Sequence, residues 1–275
     1  RVNGSCPVPF GVHLEWHLQL RPRSSRGAQV ALQRGCCPGC KERLPPFSLF
    51  NSPRYCHYLG AYFCSSCHEN DLRIIPARVA ERWDFEVRKV CCMSAKYLDS
   101  QAKQPLVPIT RIRRTKVSSQ VALTEVHRLR QRLSRLAQVM TAASCRFHET
   151  LASIAELELE PHLAQGPELY SMQDLVLIQQ QGRRWLPFER LSRLAHMGVE
   201  HARVCDDCQQ EAHYCQICGS RAPLWAFEVE EFFACSECST VYHYTCFRRA
   251  DSECPLCLKL RVAERQPSIA EVRAR

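Results

Sequence analysis

The sequence lacks any apolar run approaching the ~18 residues that a membrane-crossing helix requires, and this excludes a helical transmembrane protein. Glycine is scarce, 10 in 275 residues, with no three-residue period, so a collagen is excluded. No glycine-rich phosphate loop and no low-complexity tract is present, and a disordered tail does not fit 45% apolar and 24% charged residues. The N-terminus has no charged-then-apolar leader. It opens Arg1-Val2-Asn3-Gly4 without an initiator Met, which reads as a piece of a longer, non-secreted chain. The length suits two small domains better than one.

Cysteine is what the chain has in excess: 19, beside 11 histidines. Most fall in pairs with two residues between members. Near the N-terminus stand Cys37/Cys40, then Cys56, then Cys64/Cys67 followed by His68. Near the C-terminus stand Cys205/Cys208, Cys215/Cys218, Cys235/Cys238, His243/Cys246 and Cys254/Cys257. A Cys-x2-Cys turn aims two sulfurs at one tetrahedral metal, and two such turns close a site. The odd total, the local pairing and the missing secretory signal argue against a disulfide framework. Fourteen patterned cysteines plus His68 and His243 supply sixteen ligands, which predicts about four structural zinc ions. Cys6, Cys36, Cys91, Cys92 and Cys145 are left as ordinary thiols, although Cys36 directly precedes Cys37 and a register shift there is open.

The last four pairs are separated by 16, 4 and 7 residues. A gap of only four makes a zinc held by the second and third pairs sterically awkward. Interleaving is therefore expected, first pair with third and second with fourth, as in the cross-braces of RING, PHD and FYVE modules. The short final gap favours a FYVE-like label. Cys37, Cys40, Cys64 and Cys67 are expected to form a zinc ribbon. By elimination, Cys56 and His68 are expected to join Cys205 and Cys208, stapling the two ends of the chain.

Zinc changes the meaning of the charge. The formal +9 counts thiols as neutral. Each four-cysteine zinc site lowers the net charge by two and each Cys3His site by one, so two of each bring it to +3. Nucleic acid is accordingly not an expected partner.

Between the cysteine clusters the apolar period is helical. Leu123, Val126, Leu129, Leu133, Leu136 and Met140 predict an amphipathic helix of roughly 20 to 25 residues, with Arg128, Arg130, Arg132 and Arg135 on its other face. Leu151, Ile154, Leu157 and Leu159 predict a second helix ending near Pro161. Ser171 is a candidate N-cap for Met172 to Gln180, with Asp174 three residues on, and Pro187 can open a further helix. Residues 111–135 hold eight Lys/Arg against one Glu, and 147–182 hold six acids and no Lys or Arg. These are solvated helix faces or docking surfaces for a charged partner, and the basic helix allows peripheral contact with an anionic membrane.

The expected fold is α plus small zinc-bound modules: a leader over 1–35, partly flexible, an N-terminal zinc module over 36–100, a central helical bundle over 101–204, a C-terminal FYVE/RING-like cross-brace over 205–260 and a basic tail over 261–275. Arg21 to Arg26, with two serines, reads as a loop.

Several segments together resemble a known family. Cys37-x2-Cys40, Cys56-His57-Tyr58-Leu59-Gly60-Ala61-Tyr62-Phe63-Cys64-x2-Cys67-His68, Ile75-Pro76-Ala77-Arg78, Trp83-Asp84-Phe85, Gln104-Pro105-Leu106, Leu169 to Leu175 and the closing series ending Tyr242-His243-x2-Cys246 and Cys254-Pro255-x-Cys257 resemble the Rubicon-homology domain. Ile75 to Arg78 and Gln104 to Val107 lean toward its pleckstrin-homology-containing M-type adaptors. The resemblance implies a non-enzymatic domain at the C-terminus of a longer adaptor. It also implies binding to a GTP-loaded Rab GTPase of late endosomes and lysosomes, in autophagy and endocytic traffic. The protein would then be cytoplasmic and recruited to those membranes. His213-Tyr214 replaces the family's Gly-Phe, and Trp225-Ala226-Phe227 its Phe-Pro-Phe.

Two other functions fit the sequence less well. A RING-type ubiquitin ligase is disfavoured by the short segment between Cys246 and Cys254. A phosphoinositide grip is disfavoured by Glu228, Glu230 and Glu231 ahead of Cys235, where a basic motif would be needed. For a Rab interface the candidates are the arginine face around Arg128 to Arg135 and the stretch Ile75 to Trp83.

Overall fold

The computed structural model describes residues 14–21, 24–48, 52–112, 120–228, 232–238 and 240–259. Its helices are α1 (Arg26–Leu32), α2 (Pro76–Arg82), α3 (Cys92–Gln101), α4 (Val121–Ala142), α5 (Phe147–Glu158), α6 (Pro161–Gln165), α7 (Met172–Gln181), α8 (Leu186–Val204), α9 (Asp206–Gln209) and α10 (Tyr244–Arg249). Its strands are short and pair in antiparallel twos: β1 (Arg54–Cys56) with β2 (Ala61–Phe63), β3 (Asp71–Arg73) with β4 (Arg88–Val90), β5 (Val107–Pro108) with β6 (Leu169–Tyr170), and β7 (Phe232–Ala234) with β8 (Val241–His243). No described helix is long and apolar enough to cross a membrane. The basic tail over 261–275, Arg113, Arg114 and Lys116 of the basic run, and Glu230 and Glu231 lie outside the described residues.

The chain divides into two compact units, residues 1–125 with 168–185, and residues 126–167 with 186–275. In the first, Phe63, Val90, Cys56 and Cys91 are fully buried beside Tyr58, Ile75, Met93 and Leu98. Leu14, Trp16 and Leu20 of the leader pack against this cluster. The leader is strapped there by hydrogen bonds: Tyr58 to the Glu15 carbonyl (2.6 Å), the Leu20 amide to Glu81 (2.7 Å) and Arg21 to the Leu59 carbonyl (2.9 Å). Helix α2 starts on Pro76, whose missing N–H costs nothing at a first turn, and stops where Trp83 turns left-handed at φ 53°. Helix α7 has a full capping box, Ser171 and Asp174 each satisfying the other's backbone N–H.

In the second unit α4 buries Val126, Leu136 and Met140 fully, the stripe its period predicts. Leu151 of α5 and Leu191 and Leu194 of α8 are buried in the same unit. The helices approach closely at Gly198 of α8, where an added Cβ would stand 2.9 Å from Leu136 Cδ1 and 3.4 Å from Leu151 Cδ2. The arginine face of α4 is not uniform. Arg128 and Arg132 are exposed, but Arg130 is 2% exposed and donates to the carbonyls of His162 (2.6 Å) and Gly166. Arg135 donates to the Ala226 carbonyl at 3.0 Å and lies over Phe232. The expectation of a free arginine surface from 128 to 135 is thus corrected: two of its four members are structural. In the other candidate stretch, Ile75, Pro76, Ala77, Val79, Ala80 and Trp83 are core residues.

Candidate metal centres

Among the described residues, four groups of Cys and His side chains converge, the ligand atoms of each lying within 4.8 Å of one another. The first is Cys37, Cys40, Cys64 and Cys67. Strand pair β1–β2 carries the second knuckle out of the sheet, and the Cys64 amide donates to the Cys37 sulfur at 3.4 Å. Gly39 lets the first knuckle close, because a Cβ there would sit 2.6 Å from Cys67 Sγ.

The second group is Cys145, His201, Cys205 and Cys208. Cys145 follows α4 after a left-handed turn at Ser144 (φ 53°). His201 and Cys205 are four apart at the end of α8, so a helical backbone brings them to one side, and Cys208 follows in α9. Cys145 Sγ lies 3.1 Å from His201 Nε2 and 3.8 Å from Cys205 Sγ, and the imidazole stacks on Phe147 at 4.0 Å.

The third and fourth groups share the hairpin β7–β8. Cys215, Cys218, His243 and Cys246 form one, and Cys235, Cys238, Cys254 and Cys257 the other. The hairpin tip presents Cys235 and Cys238, while β8 ends on His243. Stacking of Phe233 on Phe247 at 3.7 Å fixes α10, and with it Cys246, against the hairpin. His243 turns Nδ1 to Cys218 (3.4 Å) and Cys246 (3.7 Å).

A tetrahedral zinc with sulfur at ~2.3 Å sets its sulfurs about 3.8 Å apart. The sulfur pairs Cys40/Cys64, Cys238/Cys254, Cys235/Cys257 and Cys145/Cys205 are 3.6, 3.6, 3.7 and 3.8 Å apart. The donor sets fit a zinc ion in spacing as well as in chemistry. Their electrostatics agree. Burial works against the thiolates of Cys215 and Cys254, yet hydrogen bonds outweigh it and bring each down to about 6: backbone amides at Cys215, the Tyr242 hydroxyl and neighbouring donors at Cys254. Their companions move the other way. Burial and neighbouring sulfurs push Cys40 up to about 11 and Cys208 up to about 12. Without a cation such a cluster holds few charges, and a dication lets all its sulfurs ionise.

The expected staple of Cys56 and His68 to Cys205 and Cys208 is overturned. Cys56 is fully buried against Cys91 and Ser94, with Ser94 Oγ 3.5 Å from its sulfur and 3.2 Å from that of Cys91. Burial opposes its thiolate, but donors from Cys91, Ser94 and the Leu59 amide lower it to about 6. His68 has both ring nitrogens engaged. Nδ1 accepts the Asn70 amide at 3.1 Å, so Nε2 carries the proton toward the Tyr55 carbonyl at 3.2 Å. No lone pair remains for a metal. The completing ligands are Cys145, which in the sequence reads as an ordinary thiol, and His201. The second had a signal, His201-x3-Cys205-x2-Cys208, and the first had none nearby.

These centres define a class: a helical protein built around four closed Cys/His clusters able to hold zinc, with four protein donors in each. The model of the Rubicon Homology Domain matches residues 54–262, and the chain belongs to that family. It is 29% identical over 278 residues to the Bos taurus "protein associated with UVRAG as autophagy enhancer", covering 98% of this chain and 40% of that protein. The Homo sapiens protein of that name is 30% identical over 242 residues, 88% of this chain and 35% of the relative. The Mus musculus "Run domain Beclin-1-interacting and cysteine-rich domain-containing protein" is 30% identical over 256 residues, 90% and 26% respectively. The chain therefore spans two fifths or less of these relatives' length. None of their names describes an enzyme: two name an autophagy enhancer associated with UVRAG, and the third a Beclin-1-interacting protein.

Proposed function

We propose that this chain is a non-enzymatic, zinc-stabilised adaptor domain that binds a GTP-loaded Rab GTPase of late endosomes and lysosomes, in autophagy and endocytic traffic. The carrying observation is the family membership together with four clusters of four protein donors each. A zinc so enclosed has no position for a reacting water, so its work is to hold the fold. The grouping Cys37/Cys40 with Cys64/Cys67 supports a ribbon, and the interleaved pairs beyond Cys215 support a FYVE-like cross-brace. The names of the relatives, which cite UVRAG and Beclin-1, support a role in assembling autophagy proteins. Membrane recruitment would follow from the Rab.

An effector surface needs an apolar centre with charge at its rim. With Arg130 and most of Ile75 to Trp83 in the core, the first unit offers another: a groove of about 360 Å³ lined by Trp16, Leu72, Ile74, Val87, Met172 and Val176. Leu72 and Val87 are 50% and 47% exposed, and the Arg73–Asp99 ion pair sits at the rim. The test is a pull-down of the chain against a Rab panel loaded with GTP analogue or GDP. Retention of late-endosomal Rabs in the GTP form alone supports the reading. Equal retention of both nucleotide forms, or of none, refutes it.

A further inference from the structure

The second unit holds a pocket of about 580 Å³ between its second and third metal centres in chain order. A single antiparallel bridge builds one wall. The His213 amide donates to the Leu224 carbonyl at 3.0 Å and the Leu224 amide to that of His213 at 2.7 Å. Successive side chains of extended backbone point to opposite faces. Leu224 therefore enters the core of the zinc module, while Tyr214, Pro223 and Trp225 line the pocket. Tyr214 is 54% exposed, and Trp225, stacked on Phe227 at 5.3 Å, is 3% exposed. Both positions are Phe in the family pattern. Trp and Tyr offer a cation a better ring face than Phe does.

Glu228 and Arg203 complete the lining. The Glu228 carboxylate is largely buried, its side chain 13% exposed, and Oε1 accepts one bond from Arg203 at 2.7 Å. Among the described residues its other oxygen, Oε2, has no partner. From Arg203 to Glu228 the chain carries four acids, Asp206, Asp207, Glu211 and Glu228, against Arg203 and Arg221, so the local charge favours a cation. A guanidinium suits this lining better than an ammonium: it is planar, stacks on an aromatic ring and bonds a carboxylate through fixed N–H groups. We propose that the pocket binds an arginine side chain presented by a protein partner. That guanidinium stacks against Tyr214 beside Trp225 and donates to Glu228 Oε2. Arg203 already holds a guanidinium on the same carboxylate, so it competes with the ligand rather than assisting it. Arginine is also among the side chains that carry most of an interface's affinity.

The experiment titrates the whole zinc-loaded chain with a capped Gly-Arg-Gly peptide and follows the indole N–H signals by nuclear magnetic resonance. The chain has four tryptophans, and Trp225→Phe assigns the relevant signal. Capped peptides with citrulline or glutamate in place of the arginine serve as neutral and anionic controls. A saturable shift of the Trp225 signal is expected with the arginine peptide alone. Glu228→Gln should weaken it about tenfold, whereas Arg203→Ala should tighten it, with zinc per chain unchanged in both. No saturable shift up to about 10 mM peptide, or equal binding of the citrulline peptide, overturns the proposal. So does binding of the glutamate peptide that Arg203→Ala abolishes, which would make this an anion site.

Discussion

Replacing Cys145 by Ser should remove one zinc, whereas replacing Cys56 by Ser should remove none. Cys145 Sγ stands 3.1 Å from His201 Nε2 and 3.8 Å from Cys205 Sγ, at the spacing of a shared tetrahedral ion. The Cys56 sulfur instead meets Ser94, Cys91 and the Leu59 amide. A structural zinc contributes on the order of 10 kcal/mol in small peptides, comparable to the roughly 5–15 kcal/mol that holds a whole domain together. Losing the second centre should therefore free the end of α8 and the α9 turn from Cys145. Leu136, Met140, Leu151, Leu191 and Leu194 remain as apolar core, so helical circular dichroism should persist while proteolysis opens residues around Cys205. Elemental analysis of protein purified without chelator reads the outcome as zinc per chain, parent against variant. Full zinc in Cys145→Ser together with a lost zinc in Cys56→Ser would refute the reasoning.

Arg130→Ala should cost about 3–5 kcal/mol, from two charge-assisted bonds that its buried guanidinium makes to half-buried backbone carbonyls, while exposed Arg132→Ala stays within about 0.5 kcal/mol; urea unfolding separates them. Gly39→Ala should disrupt the first centre, since its Cβ would meet Cys67 Sγ at 2.6 Å, and cadmium substitution would show loss of part of the thiolate charge-transfer absorption. Cys215 and Cys254 are held down to about 6, so their thiolates persist above that pH and are lost below it. Zinc lowers them further, and release followed with a chromogenic chelator should stay flat above about pH 6 and rise only as the pH falls beyond it; release that rises with pH would contradict this. Leu72→Asp and Val87→Asp should weaken GTP-Rab binding about tenfold or more by calorimetry, with zinc content unchanged.

How much of this was visible in the sequence depends on how local each interaction is. A Cys-x2-Cys knuckle is the property of one turn, so the paired thiols stand out at once. The helices stand out too: the stripe from Leu123 to Met140 lies in α4 (Val121–Ala142), and Ser171 caps α7. Cys145 and His201 meet only because α4, α5 and α8 pack closely at Gly198, a tertiary event 56 residues wide with no local trace. His68 misled for the opposite reason. Its place beside Cys67 resembles a ligand, but the backbone at Asn70 and Tyr55 takes both of its nitrogens. Arg130 shows the same limit, since a charge on a polar helix face is exposed only until another segment, here His162 to Gly166, folds over it.

Diffraction from a crystal at the zinc absorption edge tests the central claim most directly. The account predicts four anomalous peaks: one each among Cys37, Cys40, Cys64 and Cys67, among Cys145, His201, Cys205 and Cys208, among Cys215, Cys218, His243 and Cys246, and among Cys235, Cys238, Cys254 and Cys257. A peak beside Cys56 and His68, or none beside Cys145 and His201, would contradict it.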